Sequence, residues 1–165
     1  MQTLLAIVSH IPTWVWGILA FILVMGMRQS REQQMGRGRL MVLPIVWLAF
    51  GVWGVDSAFG IGALPAWGVG LVLSLTLVLR SGWPGAARYD AESRSYVVAG
   101  SWMPLALMLT IFVTKFALGM GLALHPELAR ETSVATGFSL LFGALGGVFL
   151  GRSRNILANS AHATT

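Results

Sequence analysis

Cysteine is absent from this sequence, so disulfides, thiolate metal sites and cysteine nucleophiles are excluded. Charge is scarce as well. Only 10% of the 165 residues are Asp, Glu, Lys or Arg, too little polar surface to cover a soluble globule of this size. No phosphate loop, HExxH or Gly-x-Ser-x-Gly pattern occurs, and Asp90 and Glu92 fall in a predicted turn, where they read as solvated charges rather than a catalytic pair. The expectation is a chain with no enzymatic centre, no cofactor and no metal site.

What the chain has instead is apolar length. Hydrophobic residues make up 56%, and the mean hydropathy is +0.74. Uncharged runs cover 1–27, 40–55, 57–79, 95–114 and 132–151, and most reach the roughly 17–25 residues needed to cross a hydrocarbon core. The expected fold is all-α, a polytopic bundle of five transmembrane helices near 12–28, 41–59, 64–80, 102–124 and 132–151. These form a single domain, 1–155, followed by a disordered cytoplasmic tail, 156–165. The apolar start has no basic segment before it and no small-residue cleavage pattern, so it reads as an uncleaved anchor.

The arginines orient the bundle. Arg28, Arg31, Arg37 and Arg39 separate the first two spans; Arg80, Arg88 and Arg94 separate the third and fourth; Arg152 and Arg154 follow the fifth. Only Arg130 lies on the opposite side. The positive-inside rule then places the N-terminus outside and the C-terminus in the cytoplasm. The loop "RQSREQQMGRGR" has no interleaved aromatics for base stacking, and topology alone accounts for its charge, so no nucleic-acid partner is expected.

The helix ends carry their own marks. Pro12 stands beside Trp14 and Trp16 at the start of the first span, Pro44 falls in the first turn of the second, and Pro65 opens the third. Ser101 is the expected N-cap of the fourth, with Pro104 in its first turn. "GIGA" predicts a tight hairpin that makes spans two and three antiparallel neighbours. Between spans three and four, Tyr89, "DAES" and "YVV" read as a strand, a turn and a strand, with a plain connecting loop as the alternative.

Two features go beyond topology. In span five, Ala135, Ser139, Gly143, Gly147 and Gly151 recur every four residues and leave one face bare, as close helix packing requires. That face suits packing against span one or four, or assembly as a homo-oligomer or part of a larger membrane complex. Span three has a shorter version in Ala66, Gly70 and Ser74, expected to face its hairpin partner. The second feature is Lys115, near the bilayer centre, where a charge costs at least about 2.5–3.5 kcal/mol and normally finds a partner. Asp56, placed about 6 Å nearer the outer surface by helical rise, is the expected ion-pair partner, as a structural pair or as a proton- or substrate-handling site. A lysine snorkelling alone is the third reading. Thr110 and Thr114 either line a small polar cavity beside it or bond their own backbone.

Weaker signals remain. Trp47 and Trp53 read as packing residues within span two, and His10 and His125 as interfacial side chains rather than metal or haem ligands. His162 belongs to the polar tail.

The stretches "SHIPTWVWGILAFILVMGMRQ", "GRLMVLPIVWLAFGVWG" and, most sharply, "GSWMPLALMLTIFVTKFALGMGLALHPEL" resemble a family of small bacterial inner-membrane proteins known only as a domain of unknown function. The resemblance implies about five transmembrane helices, a bacterial inner membrane and a basic or polar residue at position 115. It implies no activity. Size, the bare face of span five and the missing catalytic motifs favour a non-enzymatic accessory or packing subunit; a small oligomeric transporter or channel using Lys115 and Asp56 is the alternative.

Overall fold

The computed structural model describes residues 12–83, 87–90 and 95–161. Five helices alternate in direction: α1 (Thr13–Gln29), α2 (Arg37–Phe59), α3 (Leu64–Ser81), α4 (Met103–Leu124) and α5 (Thr132–Ala161). The stretches Leu40–Phe59, Ile61–Ser81, Met103–Leu124 and Thr132–Ala158 are each long and apolar enough to cross a membrane, and α1 is a shorter apolar helix. Three of the expected boundaries hold to within a residue or two at each end. Two helices are longer than expected. α2 begins four residues early, at Arg37, which places Pro44 two turns inside the helix rather than in its first turn. α5 runs through Ala161, so residues 156–161 of the expected disordered tail are helical; residues 162–165, with His162, lie outside the described residues.

The reason α5 continues is visible at the arginine-rich end. There β1 (Gln33–Gly36), β2 (Ala87–Asp90) and β3 (Ser95–Val98) form an antiparallel sheet in the order β1-β3-β2. The expected strand–turn–strand is present, with Tyr89 opposite Tyr96, and β1 joins it with Met35 opposite Tyr96. Met35, Leu40, Tyr96 and Val98 close around Ile156 of α5, which is fully buried. Removing such a side chain from water is worth roughly 1.5–3 kcal/mol, which holds the helix where composition alone reads as tail. A two-stranded ribbon is marginal by itself; the third strand and the helix beneath it supply the missing support.

Along the bundle, α3 and α5 run parallel and form the closest pairing. Gly70 meets the backbone of Leu140, Gly143 that of Trp67 and Leu71, and Gly147 the Leu71 carbonyl and Ser74 hydroxyl, so a Cβ at any of the three would overlap atoms of the opposite helix. Gly151 is less tightly held, with an added Cβ 2.8 Å from the Val78 side chain. The two bare faces therefore serve each other. This corrects the expectation that span five packs on span one or four, and that the small residues of span three face span two. The GIGA turn is tight, with Gly60 at φ +79° leading into a 3₁₀ turn, Ile61–Ala63. Beyond it α2 and α3 touch little, because α3 is held along its length by α5.

The other helices complete the layer. α1 and α4 pack antiparallel, with Gly26 accommodating Leu105. Ser101 donates its backbone N–H to the Gln29 carbonyl at 3.1 Å, and its hydroxyl accepts the Met103 N–H at 3.2 Å at the start of α4. Leu107 and Met108 of α4 meet Leu145 and Phe149 of α5, while Val55, Leu118 and Phe142 bring α2, α4 and α5 together nearer the other end.

Candidate functional site

Lys115 lies midway along α4. Its ammonium sits 4.5 Å from the ring centroid of Phe142 on α5 and reaches the α2 backbone at Gly54, where a Cβ would overlap Nζ. Glycine at position 54 is what lets the amine approach this closely. A turn earlier on α2, an added Cβ at Gly51 would stand 3.0 Å from the indole nitrogen of Trp67 on α3, a buried N–H with no hydrogen-bond partner. Lys115 and Gly51 both border a cavity of about 40 Å³, together with Trp47, Phe50, Phe142 and Phe149. Trp47 stacks on Phe149 at 5.8 Å between centroids.

The expected ion pair is not formed. Asp56 is exposed near the end of α2, and no salt bridge joins it to Lys115. The geometry explains the separation: on one helix Gly54 and Asp56 are two residues apart and point to different sides. The other carboxylates among the described residues, Glu32, Asp90, Glu127 and Glu131, belong to the connections at the two ends, so none of them lies level with Lys115. Lys115 stays partly exposed, and a ring beneath an exposed ammonium contributes roughly 0.5–1 kcal/mol, against an insertion cost of roughly 2.5–3.5 kcal/mol. Phe142 offsets part of the cost and leaves a remainder.

Thr110 donates its hydroxyl to the Ala106 carbonyl at 2.8 Å, the back-bonding alternative, and neither Thr110 nor Thr114 borders the cavity. Trp47 packs as expected; Trp53 does not, since it is 67% exposed on the outer side of α2. Ser139 is fully buried with an unpartnered hydroxyl, and Ala135 continues the same face towards the start of α5. His125 pairs with Glu127 at 3.0 Å on the surface. His10 falls outside the described residues, among which no cluster of metal-ligating side chains occurs.

An ammonium and an indole N–H thus meet α2 within one turn of each other. Only the ammonium borders the cavity, whose apolar surroundings suit an acceptor such as a carboxylate or carbonyl; the indole N–H is enclosed between α2 and α3. The family of unknown function DUF6622 matches residues 1–164. The chain belongs to this family. No curated protein and no solved structure matches it. Membership in DUF6622 brings no activity with it, so the chemistry rests on the side chains. The glycine pair at Gly51 and Gly54, three apart in "GVWG", is the sequence signal that marks the α2 wall of this site.

Proposed function

We propose that this DUF6622 member is a multi-pass protein of the bacterial inner membrane, with α1 as a fifth crossing and the sheet in the cytoplasm, and that it acts as a non-enzymatic accessory subunit. The observation carrying this reading is Lys115: a mid-span cation beside Phe142, with no carboxylate level with it among the described residues. An acidic side chain on a membrane helix of another subunit is the natural complement, because it neutralises the charge at the place where leaving it unpaired is expensive. The small-residue face of α5 is occupied by α3 within the chain, so this reading moves the assembly contact from α5 to the cleft between α2, α4 and α5.

The test is the Lys115→Met variant in native membranes. It should remain folded and lose a defined larger species on native gels, while Lys115→Arg retains it. If Lys115→Met assembles as wild type does, the reading fails. The transporter alternative draws on the same lysine, yet the cavity of about 40 Å³ is lined by apolar groups apart from Lys115. Substrate-dependent flux by the purified protein in vesicles, abolished by Lys115→Met, would favour it.

A further inference from the structure

Arg152 is the one charged side chain in the buried class among the described residues, at 7% exposed. Its Nε has no hydrogen-bond partner, and the guanidinium carbon lies 5.7 Å from the ring centroid of Trp83. It borders a cavity of about 20 Å³ with Gln29, Leu40, Pro44, Phe149 and Ser153. Leu40 ends the first turn of α2, and no side chain caps that 23-residue helix at its N-terminus. An arginine this far withdrawn thus borders one space with the fourth residue of α2, one turn from the positive end of that helix dipole. Both call for negative charge.

We propose that Arg152 and the first turn of α2 form a phosphate-binding site at the headgroup level of the membrane, taking the phosphate of an anionic phospholipid. The level follows from sequence: the apolar window of α2 begins at Leu40, and Arg37 precedes it by less than one turn. Arg37 and Arg154, both exposed and within three residues of Leu40 and Arg152 in sequence, suit an anionic leaflet. The size fits a single oxygen. About 20 Å³ is room for one water-sized group, so one phosphate oxygen enters while the rest of the headgroup stays at the mouth. Trp83 lies to one side of the guanidinium, and the buried Nε–H without a partner is the donor left for an anionic acceptor. A water is the competing filler, since Pro44 has no N–H for the Leu40 carbonyl and a water there could accept from Arg152 and donate to it. The inference requires the chain to cross a bilayer and is independent of Lys115.

The experiment uses the purified full chain, delipidated in neutral detergent, with native mass spectrometry and thermal unfolding as readouts. Phosphatidylglycerol should be retained and should raise the midpoint by a few degrees, and phosphatidylcholine should do neither. Arg152→Gln should cut retention at least tenfold, Arg152→Lys should restore it in part, and Arg154→Gln should remain within about twofold of wild type. If Arg152→Gln does not fold, Ser153→Met fills the cavity with Arg152 in place and should lose the lipid equally. Equal retention by wild type and either cavity variant would mean that a water fills the space, and would overturn the proposal. Stabilisation by inorganic phosphate alone, with nothing added by the lipid, would overturn the lipid assignment.

Discussion

The α3–α5 pair and the side of the bundle built by α2 use glycine in opposite ways. Gly70, Gly143 and Gly147 bring backbone against backbone, so nothing near them can move aside. Gly54 instead makes room for the tip of a lysine, and Gly51 for the edge of an indole. Much of α2 beyond these two positions is unpartnered, with Met41, Val42, Ile45, Val46, Phe50 and Trp53 all exposed. One region spends its small residues on rigidity and the other on admitting a polar group. The same residue type thus marks a structural seam in one place and a chemical site in another; what stands opposite decides which.

The sharpest break of that contrast is Gly143→Leu. Overpacking typically costs about 1–3 kcal/mol and sometimes more, and here the obstacle is the Trp67 backbone, so the loss should reach the upper end and lower the unfolding midpoint in detergent more than any change on α2. Next comes Asn155→Leu. The Asn155 amide donates to the Val78 and Trp83 carbonyls at 2.9 and 2.8 Å, tying α5 to the end of α3; leaving those acceptors unmet should cost about 1–3 kcal/mol by denaturant titration.

Gly54→Ala should do much less to stability, because the flexible lysine tip can swing away. Its effect should appear as faster labelling of Lys115 by an amine-reactive probe that partitions into the detergent micelle. Labelling at the wild-type rate would mean that Gly54 does not set the position of the amine. The smallest effect is the coupling between Asp56→Asn and Lys115→Met. Unpaired residues add within about 0.3–0.5 kcal/mol, so a double-mutant cycle should close to within that range. A larger coupling would restore the ion pair that the structure leaves open.

Helix positions were legible because uncharged length alone specifies a crossing, and the Pro and Gly residues punctuate it. Helix partners were not. The bare faces of α3 and α5 were both readable, but a stripe of small residues says only that some backbone approaches; matching the two stripes to each other was the inference available. β1 was hidden because "QQMG" has little intrinsic preference for extended structure, and its single inward residue, Met35, gives no alternation to detect. The last turns of α5 were hidden by composition: Arg152, Arg154 and Asn155 look like a solvated exit, and the buried roles of Arg152 and Asn155 depend on α1, α3 and the sheet. Lys115 was conspicuous, yet its depth suggested the nearest acid, and the side of the helix it faces was set by Gly54.

The parallel pairing of α3 and α5 also has a consequence in time. About 70 residues separate Gly70 from the Leu140 backbone it meets, so at synthesis rates of roughly 5–20 residues per second α3 emerges about 4–14 s before its partner. During that interval its bare face has no α5 to pack on while α4 is made. A chaperone or a transient lipid contact at Gly70 and Ser74 would act in that window, and slowing translation between α4 and α5 should lengthen the exposure of the nascent chain to proteolysis.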